Sequence, residues 1–125
     1  MKRYLATLTV LGAMAASMAI AQTHSRKEML QSLDLTTAQK QQAKSIFQNT
    51  HRQVQPLAQQ LTQDRQSLRA AIQAGDTGQI QQLSTAMGTL KGQMLGIRSA
   101  GMAQFYALLT PDQKAKASQL QPKGE

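Results

Sequence analysis

The sequence contains no cysteine and no tryptophan, and phenylalanine and tyrosine occur only twice each. Without cysteine there is no disulfide and no thiol nucleophile, so any fold must rest on packing alone. The scarcity of aromatic side chains argues against a single-stranded nucleic-acid surface, which stacks bases on ring faces. Histidine is limited to His24 and His51, and neither has a partner at metal-ligand spacing. Both read as solvated side chains, His24 near the start of the mature chain and His51 on a polar helix face, so no metal and no cofactor is expected. Acids are few as well, six against 14 lysines and arginines. Glu28, Asp34, Asp64, Asp76, Asp112 and Glu125 stand apart from one another, with no histidine–carboxylate pair and no phosphate loop. An enzyme is not expected. No segment alternates polar and apolar residues as a strand does, so the fold class is all-α.

What is present begins with an export signal. Lys2 and Arg3 are followed by an apolar stretch from Leu5 to Ala16, and Ala19-Ile20-Ala21 supplies the small residues that a signal peptidase reads. The competing reading is an uncleaved anchor, but the stretch is rich in Ala, Ser and Thr and borderline in length. Residues 1–21 are therefore expected to be removed, leaving 22–125 as a single exported domain with no stable membrane insertion. Taking 21 residues from 125 leaves 104, and it removes two of the 14 basic residues and no acid, for a net charge of +6. Such a charge suits anionic clients, acidic protein faces or an anionic membrane surface. Export makes nucleic acid a poor partner.

Four helices can be placed in the mature chain. Ser25 to Glu28 reads as a capping box leading a short helix with Met29, Leu30 and Leu33. Thr36 to Gln39 repeats the box, and Ala43, Ile46, Phe47, Thr50 and Val54 form one face of the second helix. Pro56 lacks the backbone donor that a helix interior needs, so the helix either kinks there or restarts. Leu57, Leu61, Leu68 and Ile72 resume the stripe. Gly75 suits a left-handed stop and Asp76 an N-cap. A long third helix follows, and the rest of the chain is expected to be arranged around it. Ile80, Leu83, Met87, Leu90, Met94, Ile97, Gly101, Phe105 and Leu108 mark its apolar stripe at steps of three and four, with Met102 and Leu109 beside it. Thr110 to Gln113 is a third capping box, with Pro111 at the favoured first position. It starts a short helix that runs to Leu120, and Pro122 to Glu125 is expected to fray.

Two of these boxes share a longer pattern. Leu35-Thr36-Thr37-Ala38-Gln39 and Leu109-Thr110-Pro111-Asp112-Gln113 are both Leu-Thr-x-x-Gln, one at each end of the helical core. Singly, each is explained by a leucine that staples a helix start and a threonine that caps it. As a pair in a small exported helical chain, they resemble the Spy/CpxP family of bacterial periplasmic proteins, over roughly Met29 to Leu120. The resemblance implies a thin, curved helical hairpin assembled as an antiparallel homodimeric cradle. It also implies a concave face that binds unfolded clients without ATP. Other members restrain an envelope-stress sensor kinase, and metal-sensing relatives use histidine-rich sites that this chain lacks. Leu35, Thr36, Gln39, Leu109, Thr110, Pro111 and Gln113 are expected to hold the fold together rather than touch clients.

Lys40 and Lys44, Arg65 and Arg69, and Lys91 and Arg98 flank the apolar stripes. Long cationic side chains commonly lie along the border of a core face. They would equally form a cationic rim around an exposed apolar groove, and these six residues with Met94 are the candidate client contacts. Met87, Met94 and Met102 read as adaptable packing or client surface. Gly88, Gly92 and Gly96 share the opposite face of the long helix. They signify either close approach of another helix, such as a dimer partner, or a tolerant exposed face. The functional expectation is a periplasmic, ATP-independent, holdase-like chaperone. The alternative is a regulator that docks on the periplasmic domain of an envelope-stress sensor kinase.

Overall fold

The computed structural model describes residues 27–28 and 30–120. The expected signal peptide, the Ser25 capping residue, His24 and the C-terminal tail lie outside the described residues. Three helices follow a short helical segment at 30–32: α1 (Thr37–Ala74), α2 (Thr77–Ala107) and α3 (Pro111–Leu120). Helices α1 and α2 pack against each other as an antiparallel hairpin, and α3 closes the end opposite the turn.

The boundaries follow from local chemistry. Thr36 caps α1 with its hydroxyl accepting from the Gln39 amide. Gly75 ends that helix at φ 67°, a backbone conformation that costs a residue without a β-carbon nothing. Asp76 starts α2 at once, its Oδ1 accepting from the Gln79 amide at 3.0 Å. With so short a turn the two helices can only fold back on each other.

Two sequence expectations are narrowed or corrected. Of the alternatives at Pro56, the restart is ruled out: α1 runs continuously through it for 38 residues, longer than the 31 of α2. Pro56 is exposed, so the carbonyl it leaves unpaired can reach water, and Val54 and Leu57 on either side are held against α2. The hairpin is thus built on two long helices rather than around α2 alone. Ile72 does not complete the α1 stripe. It is 58% exposed, and Ala71 takes the buried position beside the turn, where the short connection leaves little room for a larger side chain.

The core divides into two parts. At the closed end, Leu33, Leu35, Ala43, Phe105, Leu109 and Ala117 are buried together, gathered from the N-terminal segment and all three helices. Phe105 is fully buried, with the Phe47 ring 5.4 Å away and Tyr106 set edge-on at 6.1 Å. Along the shaft, Val54, Leu61, Met87 and Met94 form a second cluster, flanked by the half-buried Leu57, Leu68, Leu90 and Ile97. Between the clusters Gly101 lies directly against Thr50 of α1. A β-carbon there would strike Thr50, with the Thr50 Cβ and Cγ2 each 3.3 Å from it. Gly101 therefore sits in the apolar stripe because the crossing has no space for a side chain.

Candidate functional site

The two Leu-Thr-x-x-Gln motifs meet. Leu35 and Leu109 are buried in the closed-end core, which brings Thr36 and Thr110, and with them Gln39 and Gln113, into one place. Within each motif the box is complete. The Gln39 Oε1 accepts from the Thr36 amide at 2.9 Å, and the Gln113 Oε1 accepts from the Thr110 amide at 3.0 Å. The threonine hydroxyls accept in return from the Gln39 and Gln113 amides at 3.1 and 3.3 Å.

The remaining valences join the motifs to each other. Gln39 Nε2 donates to Gln113 Oε1 at 2.9 Å, and Gln113 Nε2 donates to Gln39 Oε1 at 3.2 Å. Each amide nitrogen also reaches the backbone just before the other motif. Gln39 Nε2 donates to the Leu108 carbonyl at 2.7 Å, and Gln113 Nε2 to the Leu33 carbonyl at 3.1 Å. Two residues 74 positions apart thus form a reciprocal amide latch with near two-fold symmetry. A capping box tolerates glutamate or glutamine. This latch does not, because each side chain must accept at one atom and donate at the other. The sequence showed two boxes. It did not show that they pair, although glutamine at the third position of both was the available signal.

The candidate contact residues separate into two groups. Lys40, Lys44, Arg65, Arg69, Lys91 and Arg98 are all exposed. Met94 is not: it is 8% exposed, sealed in the shaft cluster with Val54 and Leu61, so its place among client contacts is corrected to a core position. Its spacing from Met87 and Gly101 puts it on the face that meets α1. Gly88, Gly92 and Gly96 look onto open space, with nothing within 4 Å of where a β-carbon would stand.

The basic residues lie on one broad side of the hairpin. At about 100° per residue, Lys40, Lys44, His51, Arg65 and Arg69 fall within a narrow sector of α1. Arg98 of α2 lines a recess with His51, Phe47, Val54 and Met102, which sets it on that same side. Lys91, seven residues from Arg98, follows it. The other broad side is uncharged at the same level: Asn49, Gln53, Ile97, Ala100 and Gln104 line a shallow groove there. On the cationic side two apolar-floored recesses adjoin at Phe47. One, of about 570 Å³, has Leu30, Leu35 and Ala43 in its floor and Lys27, Lys40, Lys44 and one acid, Asp34, on its rim. The other, of about 460 Å³, is the His51–Arg98 recess.

Acids hardly interrupt this face. Between residues 35 and 75 Asp64 is the only acid, and between 77 and 111 there is none. Asp64 is only 9% exposed and takes the amide of Gln60 at 2.9 Å. Its position, three residues after Leu61 and four before Leu68, is an inner-face slot, and periodicity read without regard to polarity would have found it. Asp34 is at the closed end, 3.7 Å from Lys116, with both side chains exposed. Among the described residues, no group of His, Cys, Asp and Glu is placed to hold a metal ion. No described helix is long and apolar enough to cross a membrane.

An all-α hairpin latched by paired Leu-Thr-x-x-Gln boxes is what the geometry defines. Residues 21–121 match the model of the LTXXQ motif family, and the chain belongs to that family, the one that includes Spy and CpxP. No curated protein and no solved structure matched the chain.

Proposed function

We propose that this protein is a non-enzymatic, ATP-independent periplasmic chaperone that holds unfolded chains and suppresses their aggregation. The observation that carries the reading is the pair of adjoining apolar recesses at Phe47, rimmed by Lys27, Lys40, Lys44, His51 and Arg98 against a single acid, Asp34. Unfolded chains expose aliphatic and aromatic side chains, which such shallow open recesses can accept without demanding one shape. The surrounding positive charge raises the encounter rate with acidic segments. Arg65, Arg69 and Lys91 extend that charge toward the turn. Family membership and the signal-like N-terminal sequence support a periplasmic location. A homodimer that aligns two such faces would lengthen the binding surface.

The test is light scattering from a chemically denatured, aggregating client without ATP. Suppression at near-stoichiometric protein, weakened several-fold when Lys40, Lys44, Arg65 and Arg69 are changed to serine, is the expected outcome. Absence of suppression across several clients would overturn the proposal. One saturable crosslinked partner in the envelope would then favour docking on a sensor kinase domain.

A further inference from the structure

The one-sided distribution of charge extends well beyond the recesses. Lys40 to Arg69 spans about 44 Å of helix at about 1.5 Å per residue. Within α1 the row thins between Lys44 and Arg65, where His51 and, at its outer edge, Arg52 share a recess with Lys44 and Phe47. Arg98 and Lys91 fill in the row from α2. Because Thr50 faces Gly101 in an antiparallel pair, Arg98 lies level with about residue 53 and Lys91 with about residue 60. Two helices thus contribute to one nearly continuous row of cations, and neither carries it alone.

The same side bears unpacked aliphatic side chains. Ile72 is 58% exposed and Leu95 66% exposed. Ile72 follows Arg65 and Arg69 by seven and three residues, and Leu95 stands between Lys91 and Arg98, so both project among the cations. The opposite broad side offers neither charge nor an exposed large apolar residue at these levels.

We propose that this face docks the protein on an anionic lipid leaflet, lying flat, with Ile72 and Leu95 entering the headgroup region. A two-helix ribbon with its cations along one broad side complements a plane. A flexible acidic peptide would need no such alignment of two helices along about 44 Å. Basic residues near an anionic surface are attracted to it individually, and exposed aliphatics add an apolar increment. Docking goes beyond client holding and uses the same cations, so lipid and client would compete for the recess rim.

The test is co-sedimentation of the protein recovered after export, its N-terminus read by intact mass. The vesicles are phosphatidylcholine with or without phosphatidylglycerol. Binding is expected only to the anionic vesicles, and it should vanish as salt rises from about 0.1 M to about 1 M and the screening length contracts. Arg65→Gln with Arg69→Gln should lower partitioning about 25-fold, at about fivefold per charge. Lys114→Gln with Lys116→Gln removes equal charge from the closed end and should change it little. Ile72→Ser with Leu95→Ser should weaken vesicle binding several-fold and leave aggregation suppression without lipid intact. The proposal is overturned by no binding to anionic vesicles at low salt, or by equal losses in the two charge pairs. Tighter binding to polyglutamate than to anionic vesicles at equal charge would overturn it in favour of an acidic polypeptide. Aggregation suppression is measured without lipid, so its failure would fall on the holdase reading alone.

Discussion

Residues 39 and 113 show how one atom type can decide a fold. The Gln39 amide accepts from its own helix start and donates to Gln113 and to the Leu108 carbonyl. Gln39→Glu would keep the local cap and lose both donations, and it would set a negative charge beside two acceptor oxygens. Leaving such groups unpaired costs about 1–3 kcal/mol each. Denaturant unfolding of Gln39→Glu is expected to show a loss of about 3 kcal/mol, larger than that of a capping-threonine replacement such as Thr36→Ala. A cycle over Gln39→Ala and Gln113→Ala should be strongly non-additive, because the first change already unpairs the second partner. Gly101 is decided by space. Gly101→Val would drive its branched side chain into Thr50 and should destabilise by about 2 kcal/mol or more, the range of overpacked cores.

At the scale of the helix, glycine has the opposite consequence. Gly88, Gly92 and Gly96 meet nothing, so replacing each with alanine should add about 1 kcal/mol from helix propensity alone. Thermal melts of the triple variant should shift upward by more than 10 °C, at about 4–8 °C per kcal/mol for a domain of this size. A shift to lower temperature would mean that these glycines are covered by a second chain. Much of this scale was legible beforehand. Thr36, Gly75, Asp76 and Thr110 mark boundaries by side-chain chemistry that acts within four residues, so the sequence around them suffices. The Met87–Met94–Gly101 spacing likewise identified the inner face of α2. Which of the two alternatives held at Pro56 was not legible, because a helix carries a proline when packing on both sides outweighs the lost bond, and that packing comes from α2. Met94 and Ile72 were misplaced for a related reason. Periodicity gives the direction of a side chain, whereas what it meets depends on the partner helix and the nearness of the turn.

The whole molecule is unevenly held. The closed end has α3, the latch and a fully buried Phe105, whereas the shaft has two helices and one thin cluster that includes the carboxylate of Asp64. Backbone amides near the turn should therefore exchange with solvent faster than those around Phe105. Asp64→Leu, which replaces a buried acid with an apolar side chain in an inner-face slot, should slow exchange in the shaft and leave the closed end unchanged. Phe105→Ala should do the reverse, at a cost of about 3–5 kcal/mol.

The latch also sets an order in time. A chain made from its N-terminus presents Gln39 long before Gln113, and the whole hairpin must appear between them. Until then, the first motif has a capped helix start but no partner for its amide nitrogen, and the closed-end core lacks Phe105, Leu109 and Ala117. A nascent chain halted anywhere before α3 therefore has no means of closing. The arrival of Gln113 and α3, rather than the formation of α1 or α2, is the event that lets the latch close.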